Sequence, residues 1–196
     1  MSKSDPTSTR KERNKTIRWG VTIFFVTILV SGSISFLSDV IMEASSMAIA
    51  FLILLFIVLL GILFDVVGVA VTSADEKPFH SMAARKVPGA QEAIRLLRNA
   101  ERVSSICNDV VGDICGVVSG SASATIAAQV LKRFEFSWPL VISLFMSALV
   151  AGLTVGGKAI GKTFAINSCT VIVQNVGKLI WGVRNMPKLF KKKKKS

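Results

Sequence analysis

Uncharged, largely apolar runs alternate along this chain with short segments in which the charge collects. Four runs stand out, at residues 19–37, 44–64, 114–131 and 136–157, with lengths of 19, 21, 18 and 22 residues. A helix rises about 1.5 Å per residue and needs roughly 20 apolar residues to cross a hydrocarbon core about 30 Å thick. Each run therefore predicts a membrane-crossing helix, the third being the least hydropathic because Gly, Ser and Ala crowd it. The first run exceeds the roughly 7–15 apolar residues of a secretory leader and lacks a convincing cleavage site, so it predicts a retained span. Residues 72–102 are polar and predict a helical cytosolic loop. Beyond the fourth run, Ile172, Val176, Leu179, Ile180 and Val183 recur at helical spacing, with Gln174, Asn175 and Lys178 on another side. With Trp181 and Phe190 as interfacial aromatics, residues 164–190 predict an amphipathic helix on the membrane surface. The expected fold is an all-α integral membrane protein with about four transmembrane helices, a cytosolic helical loop and this C-terminal interfacial helix.

Charge orients the spans. The chain has 196 residues, is 51% hydrophobic and carries a formal net charge of +12, a combination that suits a membrane protein with its charge confined to one side. Of 24 Lys and Arg, six lie in the arm before residue 19, six in residues 72–102 and ten from Lys158 onward. Residues 38–46 hold none and carry Asp39 and Glu43, while Lys132 and Arg133 follow the third run. The positive-inside rule then puts both termini and the middle loop in the cytoplasm, in a cell membrane. The lysine run at 191–195 reads as a topology signal or as a contact for anionic lipid, at about 1 kcal/mol per residue. No nucleic-acid partner is expected. Cys107, Cys115 and Cys169 lack metal-ligand spacing and read as reduced, buried thiols. The single histidine, His80, reads as a solvated loop residue.

One segment carries a nucleotide-binding pattern. Residues 156–163 read GGKAIGKT, matching G-x-x-x-x-G-K-[ST] at every fixed position. That motif works between a buried strand and a helix, with an acidic residue downstream to hold Mg²⁺. Here it ends an apolar run, and no Asp or Glu follows Glu135. Nucleotide binding and an enzymatic role are therefore not expected. Gly152, Gly156, Gly157 and Gly161 instead make a thin helical face suited to close packing, or to carbonyls bared toward a site.

Polar groups inside the spans are the functional candidates, because an ionisable group there costs roughly 2.5–3.5 kcal/mol. Asp65 interrupts FLILLFIVLLGILFDVVGVAV, and Asp109 and Asp113 interrupt RVSSICNDVVGDICGVVSG at a spacing that shares one helical face. Ser104, Ser105 and Asn108 lie beside them. Such oxygen-only ligands suit a hard cation such as Mg²⁺ or Na⁺. The alternative is a structural polar cluster, with Asp65 paired to Lys158.

At these residues the segment 47–164 resembles the transmembrane domain of the CorB/CorC (cyclin M) family of magnesium and cobalt transporters. LFDVVGVAVTSA stands where the family ends its first span, EAIRLLRNAER resembles its basic helical stretch, SSICND its serine-rich turn, and GGKAIGKTFA the close of its third span. The resemblance implies three family spans preceded here by an extra one, and Mg²⁺ held by serine hydroxyls, an asparagine and a glycine carbonyl. By position these fall on Asp65, Ser104 or Ser105, Asn108 and Gly157, with Asp109 beside them and Asp113 one turn on. Asp65 replaces a family serine, Gly68 and Lys158 replace its two glutamates, and Gly161 replaces its proline. The resemblance also implies paired cytosolic CBS domains after the spans, which are not expected within these 196 residues.

Two functions follow as expectations. The first is transport or handling of Mg²⁺, or a related divalent cation such as Co²⁺, by a homodimer in the lipid bilayer. The second is a transport-inactive scaffold or regulator in which the Lys158 ammonium takes the place of the cation. The expected organisation is a basic arm (1–18), a membrane domain (19–163), the amphipathic helix (164–190) and a polylysine tail (191–196).

Overall fold

Among the described residues every regular element is a helix. The computed structural model describes the backbone of residues 6–134 and 138–193, and the side chains of 17–41, 45–132 and 138–185. In chain order the helices are α1 (Pro6–Ala44), α2 (Met47–Ser73), α3 (Lys77–Ala84), α4 (Ala90–Arg98), α5 (Ala100–Ser105), a π-helical turn (Ile106–Gly112), α6 (Asp113–Phe134), α7 (Pro139–Asn167) and α8 (Cys169–Lys193). Four stretches are long and apolar enough to cross a membrane: Ile17–Ile41, Met47–Ser73, Ala100–Lys132 and Pro139–Asn167. The third is compound, with α5, the π-helical turn and α6 joined end to end.

Each expected span is longer than its uncharged run. Residues 38–46, expected as a loop, are helical as far as Ala44, because no Gly or Pro stands there to stop α1. Asp39 is held inside the bundle instead of facing solvent: Ser121 Oγ donates to both its carboxylate oxygens, at 2.9 and 3.1 Å, and Thr125 Oγ1 to one, at 3.5 Å. Likewise α2 continues past Phe64 to Ser73, so Asp65 lies within a helix and not at its end.

The axis of the bundle is α2, which packs on α6, α7 and the π-helical turn, while α1 leans on α6. Its buried side reads Ala50, Leu54, Val58, Gly61, Asp65, Gly68, Val71, a three-and-four spacing that makes one stripe down the helix. Two apolar clusters share that stripe. One joins Ala50, Leu54 and Val58 to Ala122, Ile126 and Val150. The other joins Val66, Ala70 and Val71 to Phe79, Ala93, Ala165 and Val173. Along the same stripe Asp65 stands between Gly61 and Gly68, about one turn from each.

The second cluster is closed by α3, α4 and α8. Gly89, in a left-handed conformation (φ +84°), caps α4, and the backbone of Gly177–Lys178 comes so near that a side chain there would collide with it. Glu92 of α4 takes Arg184 Nη1 at 2.9 Å. The C-terminal helix is thus docked on α4. Val173 is buried, Ile172, Val176 and Ile180 are half-buried toward the protein, and Leu179 and Val183 are exposed. Residues 164–167 belong to α7. The lysine run at 191–195 and Phe190 lie outside the residues whose side chains are described.

Candidate functional site

Two glycines set the register of α2 against the compound helix. A Cβ on Gly61 would lie 2.9 Å from Cys115 Cβ, and one on Gly68 would strike Asn108 Oδ1. Moving seven residues along α2 therefore moves seven back along its neighbour, an antiparallel pairing that brings Asp65 level with Val111 and Gly112. On the other side of Gly112, a Cβ would lie 3.4 Å from Lys158 Nζ. Asp65, the π-helical turn and Lys158 therefore occupy one layer. Asp65 lies 18 residues along α2 from Met47, and Lys158 19 along α7 from Pro139, about 27 and 28 Å up their helices.

Asp65 is 5% exposed, and its Oδ2 has no hydrogen-bond partner. Asn108 Nδ2 donates to Ser104 Oγ at 3.2 Å, which leaves Asn108 Oδ1 buried and also unpartnered. Two acceptor oxygens on facing helices are thus withdrawn from solvent with nothing to accept. Native structures hold few such atoms, because each costs about 1–3 kcal/mol. Asn108 reaches this position from the π-helical turn, whose wider i→i+5 winding departs from the 3.6-residue period.

The other candidates are placed differently. Ser105 Oγ donates to Asp109 Oδ2 at 2.8 Å, and Asp109 and Asp113 are both exposed, turned from the Asp65 layer. Gly157 and Gly161 are packing positions: a Cβ on the first would strike Ile62 Cδ1, and one on the second would lie 2.7 Å from Val66 Cγ2. Gly152 and Gly156 have nothing within 4 Å, so the four glycines divide between a packed and an open side and do not form one face. Among the described residues Asp65 and Lys158 make no ion pair within 4.0 Å, and no three His, Cys, Asp or Glu gather as a metal-ligand group. His80 is half-exposed and stands 3.2 Å from Glu76, which also takes Arg98 at 2.9 Å.

The chain matches no known protein family, no characterised protein and no solved structure. The layer joins a buried carboxylate, an amide oxygen, a serine hydroxyl behind it and an ammonium reaching in from α7.

Two features escaped the reading by residue type. The π-helical turn leaves no mark in composition or spacing. The Asp39 clamp had a clearer signal, since Ser121 and Thr125 lie one helical turn apart in a run otherwise built for packing.

Proposed function

We propose that this chain is an integral membrane protein of CorB/CorC-like design that handles Mg²⁺ or a related divalent cation such as Co²⁺. The observation that carries the proposal is the pair of buried, unpartnered oxygens, Asp65 Oδ2 and Asn108 Oδ1. A hard cation supplies what both oxygens lack, and oxygen donors are the ligands such cations select. Ser104 positions Asn108 through its hydroxyl. The order and spacing of the motifs in 47–164 support the family likeness. The protein acts as a homodimer and catalyses no reaction. In a bilayer with a core of about 30 Å, the layer stands near the cytoplasmic boundary, just above the docked α3, α4 and α8. Both termini then lie in the cytoplasm, as the distribution of Lys and Arg supports.

The position of Lys158 Nζ against Gly112 favours a second reading, in which its fixed positive charge takes the cation's place and the chain is a scaffold or regulator. Like charge beside the site weakens divalent binding. Mg²⁺ flux into proteoliposomes separates the two. The transporter reading expects flux from the unmodified chain and its loss in Asn108→Ala. No flux from the unmodified chain, with flux gained in Lys158→Glu, sinks it and supports the scaffold.

A further inference from the structure

Cys107, Cys115 and Cys169 have no metal-ligand spacing along the chain, but folding sets one of them beside the buried acid. A Cβ on Gly61 would meet Cys115 Cβ at 2.9 Å and Cys115 Sγ at 3.7 Å, so the thiol lies against the turn of α2 that precedes Asp65. Asp65 follows Gly61 by four residues, about 6 Å of rise along the same buried stripe. Side chains on an α-helix lean toward its N-terminus, which carries the Asp65 carboxylate back over the Gly61 turn. Glycine at 61 leaves no side chain between the two groups.

Both groups are closed off from solvent. Asp65 is 5% exposed with Oδ2 unpartnered, and Cys115 is buried and in no disulfide. The carboxylate oxygen calls for a ligand independently of the thiol, because buried acceptors are rarely left without a partner. Asn108 Oδ1 lies against Gly68, three residues from Asp65 in the other direction. A cation held by Asp65 therefore has an amide oxygen toward one end of α2 and a sulfur toward the other. That sulfur separates the two cations that the proposed function leaves open. Mg²⁺ takes oxygen ligands and holds its waters, so a thiol beside the site adds nothing to its binding. Co²⁺, a first-row transition ion, binds sites that mix oxygen and sulfur.

We infer that Cys115 is a ligand of the Asp65 site and makes that site select Co²⁺ over Mg²⁺. The inference rests on the cation-handling reading. On binding, a Co–S bond forms and the S–H bond breaks; the electron pair stays on sulfur and the proton passes to bulk water. No electron is transferred, and the metal stays divalent. Lys158, beside Gly112 and one turn from Cys115, then faces a thiolate as well as a carboxylate. Their two negative charges hold the ion against the repulsion of the ammonium.

Co²⁺ titration of the purified full chain tests this. With Cys107→Ala and Cys169→Ala, Cys115 is the sole thiol. Co²⁺ is expected to raise a thiolate-to-metal charge-transfer absorption in the near ultraviolet, to release about one proton per ion and to displace Mg²⁺. Cys115→Ser is expected to lose the absorption and the proton. It should bind Co²⁺ at least about tenfold more weakly, the loss that even an outer partner of a metal ligand brings, while its Mg²⁺ affinity does not fall. Cys115→Ala keeps the comparison intact if serine disturbs the packing. Asp65→Asn, with Cys115 in place, is expected to lose the absorption too, because the thiol alone holds no ion.

Co²⁺ bound without the absorption overturns the role of Cys115 and leaves the cation site standing, as does an equal loss of Co²⁺ and Mg²⁺ affinity in Cys115→Ser. An absorption that survives in Asp65→Asn also overturns it, since the thiol would then serve another site. Binding of neither ion, by the unmodified chain or by Lys158→Glu, sinks the cation-handling reading itself and this inference with it.

Discussion

Asp39 and Asp65 are both carboxylates within apolar helices of one bundle, and they are treated in opposite ways. Asp39 receives Ser121 on both oxygens and Thr125 on one, so α1 is pinned to α6 by a satisfied acid. Asp65 lies on the most buried stripe of α2 with one oxygen accepting nothing. Along α6 the two levels are separated by roughly ten to fourteen residues, about 15–20 Å. Folding supplied hydroxyls where an acid only had to hold helices together. Asp65 is flanked along α2 by Gly61 and Gly68 instead.

The contrast is broken first at the acids. Asp65→Asn is expected to lower Mg²⁺ flux at least about tenfold while leaving the unfolding midpoint in detergent unchanged or higher, because it removes a buried charge without a partner. Asp39→Ala is expected to do the reverse. It should lose about 1–2 kcal/mol of stability, the scale of interhelical hydrogen bonds in membranes, and keep its flux. Equal losses of flux in both variants would erase the distinction.

Packing around the layer comes next. Gly161→Ala places a methyl 2.7 Å from Val66 Cγ2 and is expected to cost about 1–3 kcal/mol through overpacking. Gly156→Ala faces open space, so it should be neutral or gain up to about 1 kcal/mol from helix propensity. Unfolding of the two variants side by side shows whether the packed and open glycines differ as their surroundings do. The smallest effect belongs to the docked C-terminal helix. Arg184→Gln removes the ion pair with Glu92, and because the Arg184 side chain is 61% exposed the loss should be about 0.2–1 kcal/mol, shrinking at high salt.

Much of this architecture was legible before any fold was known, for reasons that particular residues make plain. Four apolar helices follow from four uncharged runs, since length and charge are properties of single segments. Asp65, Asn108 and Lys158 stood out because polar groups are costly among apolar neighbours. Their grouping was expected only through the resemblance and the Asp65–Lys158 alternative; the register that brings them level depends on the contacts Gly61–Cys115, Gly68–Asn108 and Gly112–Lys158 between segments far apart in the chain. Asp109 and Asp113 share one helical side, as their spacing implied, but that side is exposed and turned from Asp65. The third apolar stretch carries a further lesson. It is the least hydropathic of the four and the most buried, because the small residues that lower its hydropathy let α2 and α7 approach. The helical spacing of the tail was legible, but not the Gly177 crossing that packs part of its apolar side on α4.

The proposed function makes Asp65 Oδ2 and Asn108 Oδ1 ligands of one cation. Thermal unfolding of the purified full chain, followed over a Mg²⁺ titration, tests it most directly, because a ligand bound only by the folded state stabilises it by about 2.7 kcal/mol at a hundredfold excess over Kd. The midpoint is expected to rise with Mg²⁺ in the unmodified chain and to stay flat in Asp65→Asn. A midpoint that ignores Mg²⁺ in both the unmodified chain and Lys158→Glu, or that rises equally in Asp65→Asn, would contradict it.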